Sequence, residues 1–141
     1  MLTKIWSGLL CVLSLSILLS FTGAADHAQA AGNSVEYTIV TNEIKSAPKG
    51  MKELEVYRFD PSVVIAHVGD DVTLHFYGVK GSIHPTTIAA YGIRVVVQRG
   101  SVSTVKFRVD KPGYFPIVCQ IHKTIQEHGP MTGMLIVLPN P

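Results

Sequence analysis

The feature that most constrains the fold is a series of eight short segments rich in β-branched and aromatic residues. They cover residues 35–40, 54–59, 63–68, 72–77, 93–97, 102–109, 114–118 and 134–138. Turn-forming stretches such as Ala47-Pro48-Lys49-Gly50 and Lys111-Pro112-Gly113 separate them, and short runs bounded in this way are typical of β-strands. Because no segment shows a long helical pattern, the sequence predicts an all-β fold, a Greek-key β-sandwich.

Alternation along the strands predicts which side chains enter the core. Successive side chains of a strand point to opposite faces, so Phe115, Ile117 and Cys119 share one face. If that face packs in the core, Cys119 directs its sulfur inward from the end of a strand, toward a dry pocket. On the segment 72–77 the same rule turns His75 toward solvent, opposite Leu74.

The N-terminal residues have the pattern of a secretory leader. Lys4 precedes an apolar run over residues 5–21, and a small-residue stretch with an Ala28-Gln29-Ala30 site follows. We therefore expect a signal peptide over residues 1–30 and a single domain over residues 31–141, exported to the periplasm or secreted. The apolar run is slightly shorter than the roughly 20 residues that span a bilayer, so an uncleaved leader would anchor the chain in the membrane.

The charge balance argues against two classes of partner. The chain has 12 Lys and Arg residues against 10 Asp and Glu, which gives no basic surface for nucleic acid and no strong attraction to a membrane once the leader is removed.

The cysteine count sets a chemical requirement. Cys11 lies in the leader, so the exported domain keeps only Cys119 and cannot form an internal disulfide. In an oxidising compartment a lone thiol is expected to be buried, modified, paired with another chain or bound to a metal.

Metal-ligating side chains are concentrated around this cysteine. Cys119, His122, His128 and Met131 lie within 13 residues of one another, and His84 lies 35 residues before Cys119. Pro85 biases His84 toward an extended backbone and, because proline has no N–H, suits a strand edge or end. An imidazole held there would meet the Cys119 loop across the sandwich.

The type of ligand narrows the choice of metal. One thiolate, imidazoles and a weak thioether form the set of a mononuclear copper electron-transfer site. Zinc also accepts cysteine and histidine, but a thioether is a poor zinc ligand and structural zinc usually takes more sulfur, so copper is favoured. Each residue also has a structural interpretation: Met131 would fill the end of the core, and Cys119 would be an inert buried side chain.

These segments resemble the cupredoxin family. The matching positions of the copper-A domain of cytochrome oxidase subunit II and nitrous oxide reductase are His84, Gly92-Ile93, Gly100, Pro112-Gly113-Tyr114, Cys119 and His128-Gly129-Pro130-Met131. Lys123 stands where the copper-A domain has its second, bridging cysteine, so the resemblance implies one copper ion rather than two. The Cys119-Gln120-Ile121-His122 stretch is also similar to nitrosocyanin, a red copper protein.

The resemblance implies a copper site formed by His84, Cys119 and at least one of His122 and His128. If both loop histidines bind, a red site without Met131 is expected. If only one binds, Met131 is expected as the axial ligand of a bluer site. Phe115, Ile117, Ile83 and Ile88 are expected to form an apolar shell around it.

The function expected from this set is the transport of single electrons by an electron carrier rather than an enzyme, with redox proteins docking transiently near an exposed histidine edge. A copper-binding or delivery module would use the same ligands, and a nitrosocyanin-like copper site that reacts with small molecules is a further alternative. A cysteine and histidine nucleophilic enzyme is disfavoured by the predicted inward direction of Cys119.

Overall fold

The computed structural model describes residues 32–140, which form nine β-strands. These are β1 (Ser34–Ser46), β2 (Leu54–Asp60), β3 (Val63–His67), β4 (Asp71–Tyr77), β5 (Ile83–Ile88), β6 (Ile93–Gln98), β7 (Val102–Arg108), β8 (Gly113–Cys119) and β9 (Thr132–Leu138). Two single turns of 3-10 helix, Ala89–Tyr91 and Ile125–Glu127, lie between strands.

The strands form two sheets that face each other. One sheet has the order β2-β1-β4-β7 and the other the order β3-β9-β8-β5-β6. Both are mixed, because β1 pairs with β4 and β3 pairs with β9 in parallel while their other pairs are antiparallel. The chain crosses between the sheets repeatedly, and the predicted all-β sandwich is confirmed.

Both sheets direct alternate side chains into one core between them. Leu74 and Phe76 of β4 are fully buried, and so are Ile117 and Cys119 at the end of β8. Phe59 of β2 meets Phe76 edge to face, with the ring centroids 6.0 Å apart. The predicted inward direction of the Cys119 side chain is therefore confirmed.

Strand β5 is the element that the strand pattern did not include. Its residues IHPTTI contain a proline and two threonines, and the hydrophobic pattern is correspondingly weak. Pro85 faces Val96 of β6, whereas the pairing of β5 with β8 begins only at Thr86. On the side of β5 that faces β8, Pro85 therefore lies just beyond the end of the strand pairing, as expected.

Within residues 32–140, no helix is long and apolar enough to cross a membrane. The expected signal peptide, residues 1–30, lies outside the described residues, as does Cys11.

The two faces of β9 provide a test of the core. Leu135 is fully buried and its neighbour Ile136 points to the opposite, partly exposed face. We expect Leu135→Ala to lower the free energy of unfolding by about 2–5 kcal/mol, because it removes buried apolar surface and leaves a cavity. Ile136→Ala is the matched control and should cost clearly less. Denaturant titration of the metal-free protein measures both, and equal losses would contradict the assignment of faces.

Candidate metal centre

Three donor atoms from three places in the sequence converge at one end of the sandwich. The Nδ1 atoms of His84 and His122 are 3.2 Å apart. The sulfur of Cys119 lies 3.3 Å from Nδ1 of His122 and 3.9 Å from Nδ1 of His84. His84 and Cys119 are buried and His122 is partly buried. The structure therefore brings together three of the five side chains predicted from the sequence.

The pairing of β5 with β8 positions two of these residues. Thr86 is the register partner of Cys119, and the amide of Gln120 donates a hydrogen bond of 2.8 Å to the carbonyl of Pro85. Because β5 and β8 run antiparallel, His84 lies two residues beyond Thr86 on the same inward face. The imidazole and the sulfur therefore meet in the core.

A backbone carbonyl fixes the orientation of His84. Its Nε2–H donates a hydrogen bond of 2.7 Å to the carbonyl oxygen of Lys80, and a carbonyl oxygen can only accept. The proton is therefore on Nε2, and the lone pair of Nδ1 faces His122 and Cys119. Gly81 passes so close that an added Cβ would lie 2.4 Å from Nε2, and its φ of +74° is one that glycine adopts readily.

The loop after Cys119 is closed by main-chain hydrogen bonds. The amide of Met131 donates to the carbonyl of His122 over 2.8 Å, and the amide of Cys119 donates to the carbonyl of Met131 over 3.1 Å. Gly129 passes close to this closure, since a Cβ there would lie 2.2 Å from the carbonyl oxygen of His122. These contacts hold His122 beside the end of β8.

A capping box shapes the outer part of the loop. The carboxylate of Glu127 accepts hydrogen bonds from the amides of Thr124 and Lys123, at 3.1 and 3.2 Å, where the 3-10 turn begins. These bonds satisfy amides that the turn leaves free. They also lower the pKa of the Glu127 carboxyl, with the bond from Lys123 as the largest cause.

His128 lies outside the group of three donor atoms. It ends the 3-10 turn with a left-handed backbone, φ 57°, and its side chain is exposed. Its carbonyl accepts a hydrogen bond from the amide of Tyr57, and its Nδ1 lies 3.3 Å from the carbonyl of Glu55. In this position His128 attaches the loop to strand β2.

Met131 is fully buried. Its amide and its carbonyl are bonded to the main chains of His122 and Cys119, so its backbone lies next to two of the three donor residues.

Tyr57 is a residue of the site that sequence reasoning missed. Its ring centroid lies 4.7 Å from that of His122, 5.4 Å from that of His84 and 6.1 Å from that of His128. Alternation puts Tyr57 on the same face of β2 as buried Phe59, but no pattern in the sequence connects β2 with the loop.

The expectation that Ile83 would belong to an apolar shell around the site is wrong. Its side chain is 42% exposed, because it lies on the opposite face of β5 from His84.

Burial keeps the three donors in their neutral forms. It lowers the pKa of His84, although the bond to the Lys80 carbonyl partly opposes this. It also lowers the pKa of His122, with the neighbouring His84 and His128 adding to the effect. Burial raises the pKa of the Cys119 thiol. At neutral pH both imidazoles therefore have free lone pairs, and binding of a metal to the sulfur would release the thiol proton.

The spacing of the donors fits a first-row metal ion. With metal–nitrogen bonds of about 2.0 Å and metal–sulfur bonds of about 2.3 Å, tetrahedral or trigonal angles place the nitrogens roughly 3.3–3.5 Å apart and each nitrogen roughly 3.5–3.7 Å from the sulfur. The observed nitrogen separation is 3.2 Å and the two nitrogen–sulfur distances are 3.3 and 3.9 Å. Small rotations of the rings would accommodate an ion.

The sequence matches a known family model. The family model described as cupredoxin-like domain matches residues 11–137. No curated protein matches the chain.

Three of the solved structures with a similar fold are named as copper proteins. The multicopper oxidase mgLAC matches with a TM-score of 0.60 at 20% identity, over 78% of this chain and 40% of that structure. The copper-containing nitrite reductase from Thermus scotoductus SA-01 also has a TM-score of 0.60, at 21% identity, over 78% and 28% of the two chains. The blue copper oxidase from Nitrosomonas europaea has a TM-score of 0.56 at 20% identity, over 77% and 40%. The chain thus spans less than half the length of each of these proteins.

The lowered pKa values of the two site histidines predict how the metal-free protein responds to acid. A histidine with a lower pKa in the folded state binds fewer protons when folded than when unfolded. Its contribution to stability is complete above the ordinary pKa of about 6.5 and is lost as the pH falls below that value. We expect the free energy of unfolding to decrease between pH 7 and pH 5, and to decrease less in His84→Gln.

Denaturant titrations at several pH values measure this slope. His67→Gln, at an exposed strand end, is the control for the replacement of a histidine by glutamine. A His84→Gln slope as steep as that of the wild type would contradict the role of burial.

Proposed function

The chain belongs to the cupredoxin-like domain family, and we propose that it is an exported protein that binds one copper ion and carries single electrons between redox proteins. The observation that carries the proposal is the convergence of one cysteine sulfur and two histidine Nδ1 atoms within 4.8 Å of one another. Two imidazoles and one thiolate are the strong ligands of copper electron-transfer sites.

Copper in such a site would alternate between Cu(I) and Cu(II) by gaining and losing one electron. The contribution of the chain is to hold the donors still. His84 is held through Nε2 by the Lys80 carbonyl, and Cys119 and His122 are held through main-chain bonds to Met131. Ligands fixed by outer hydrogen bonds need little rearrangement when the charge of the ion changes.

We assign Met131 as the weak fourth ligand. Its complete burial and its main-chain bonds to His122 and Cys119 support this role. His128 is exposed and is attached to Glu55 and Tyr57 of β2, so we assign it to the structure of the loop. This set of ligands corresponds to a blue site rather than to the red site of nitrosocyanin.

A single ion is more consistent with the site than a pair. Lys123, at the position of the bridging cysteine of the copper-A domain, is exposed and offers no second sulfur.

We place the docking surface for redox partners at the outer side of the loop. His122 is the only one of the three donor residues that is not fully buried, so it offers the shortest route for an electron from the surface. Ile121 is 43% and Ile125 60% exposed nearby in the sequence. Such a small apolar surface suits transient complexes, which bury less area than stable ones.

The buried donors argue against two alternatives. A delivery module needs a site from which the metal leaves easily, whereas His84 and Cys119 are inaccessible to solvent. A cysteine nucleophile needs a lowered pKa, whereas burial raises the pKa of the Cys119 thiol.

Spectroscopy of the copper-loaded protein tests the ligand set. We expect one Cu(II) per chain to produce an intense thiolate-to-copper absorption band, and Cys119→Ser to abolish it. Met131→Leu should keep the band but raise the reduction potential, because loss of the thioether makes Cu(II) less stable relative to Cu(I). Absorption, electron paramagnetic resonance and voltammetry provide the measurements.

His128→Ala is the critical comparison with His122→Ala. The proposed set predicts that the thiolate band is retained in the first variant and lost in the second. Two coppers per chain, or loss of the band in His128→Ala, would exclude the proposed set. Loss of copper within a few cycles of reduction and oxidation would favour the delivery module instead.

Tyr57 provides a test of the alternative that the site reacts with small molecules. Its ring packs against the imidazoles of His84 and His122, and burial followed by the hydrogen bond with Glu55 raises the pKa of its phenol. We expect azide to leave the copper spectrum of the wild type and of Tyr57→Phe unchanged, because the ring blocks access. Tyr57→Ala should respond to azide. A response of the wild type equal to that of Tyr57→Ala would support the small-molecule site.

A further inference from the structure

A buried threonine of the opposite sheet contacts the segment that orients His84. Thr41 lies on β1 and is inaccessible to solvent. Its hydroxyl donates a hydrogen bond of 2.8 Å to the carbonyl of Lys80 and accepts bonds from the amides of Val79 and Lys80, at 3.0 and 3.2 Å. The main-chain carbonyl of Thr41 also accepts a bond of 3.1 Å from the Lys80 amide.

These bonds use the whole capacity of the hydroxyl. A threonine hydroxyl offers one donor and two acceptor positions, and the segment 79–80 occupies all three. Residues 79–80 lie between two strands, because β4 ends at Tyr77 and β5 begins at Ile83. The hydrogen bonds of Thr41 therefore connect this segment to β1.

The carbonyl that Thr41 holds is the same one that accepts the proton of His84. The Lys80 oxygen receives the Thr41 hydroxyl and the His84 Nε2–H, at 2.8 and 2.7 Å, one for each of its lone pairs. The three groups form a continuous chain from β1 to the imidazole. Gly81 leaves little freedom beside it, because it lies against the same ring nitrogen.

We propose that Thr41 is a positioning residue for the metal site: its hydroxyl fixes the Lys80 carbonyl, which in turn fixes the tautomer and the direction of the His84 ring. The consequence for the metal depends on the proposed function of His84 as a ligand, whereas the consequence for the tautomer does not. Outer hydrogen bonds of this kind decide which ring nitrogen is free to bind.

The chain offers a matched set of variants. Thr41→Val keeps the shape of the side chain and removes the hydroxyl, whereas Thr41→Ser keeps the hydroxyl and removes the methyl group. Thr73→Val is the control, because Thr73 is also buried in the same sheet but lies on β4, in register with Glu36, away from the segment 79–80.

Nitrogen-15 NMR of the metal-free protein is the main measurement. In the wild type, Thr41→Ser and Thr73→Val we expect one tautomer of His84, with a slowly exchanging Nε2 proton. In Thr41→Val we expect both tautomers and at least tenfold faster exchange of that proton. The proposal is overturned if Thr41→Val keeps the single tautomer and the slow exchange, or if Thr41→Ser loses them as Thr41→Val does.

A measurement on the wild type covers the case in which Thr41→Val does not fold. Both protons approach the same oxygen, so the Thr41 hydroxyl proton should exchange slowly and show a nuclear Overhauser effect to the Nε2 proton of His84. The proposal would be overturned if this nuclear Overhauser effect is absent and the hydroxyl proton exchanges fast.

Addition of Cu(II) separates this proposal from the proposed function. If both hold, Thr41→Val shifts the copper signal in electron paramagnetic resonance and Thr41→Ser restores it. A second outcome is that the NMR result is as expected while neither the wild type nor any variant forms a thiolate-to-copper band. In that case the role of Thr41 in fixing the His84 tautomer is supported and the proposed copper function is excluded. If the band forms and the electron paramagnetic resonance signal of Thr41→Val equals that of the wild type, the positioning role at the metal is overturned.

Discussion

The site depends on the short pairing between strands β5 and β8. Only two residue pairs join these strands, Thr86 with Cys119 and Thr87 with Val118, and this contact sets the sulfur of Cys119 beside the ring of His84. The two residues are 35 positions apart in sequence, so no local preference could bring them together. The sandwich provides the contact because β5 carries His84 on its inward face and β8 ends with an inward cysteine.

Polar groups in an apolar core are costly unless each has a partner, and this end of the core has several. His84, Thr41 and Thr86 are all buried, and each makes hydrogen bonds to main-chain carbonyls. Loss of one partner from such a buried set costs about 1–3 kcal/mol, because the other group is left unsatisfied. The same bonds that stabilise this end of the sandwich therefore also restrict it to one arrangement.

The sequence was most informative where periodicity and burial agree. The alternation of Phe115, Ile117 and Cys119 was enough to predict the direction of the sulfur. The eight predicted strands are all present, seven of them with ends within two residues of the prediction, whereas β1 extends six residues further. Strand β5 was missed because its ordinary strand signals are weakened by Pro85. The identity of Tyr57 and Thr41 as neighbours of the site depends on contacts between the two sheets, on which strand patterns carry no information. Likewise, spacing alone could not distinguish His122 from His128, because their difference arises from the left-handed turn at His128.

The closed ring of main-chain bonds between Cys119 and Met131 divides the loop into two parts that can change independently. Cys119, His122 and Met131 are tied at the base, whereas residues 123–128 lie outside the closure and are exposed. If the loop is the proposed docking surface, substitutions at its exposed side chains would alter the surface that a partner meets while the closure at the base is kept. The recognition surface and the donor group could then be redesigned separately.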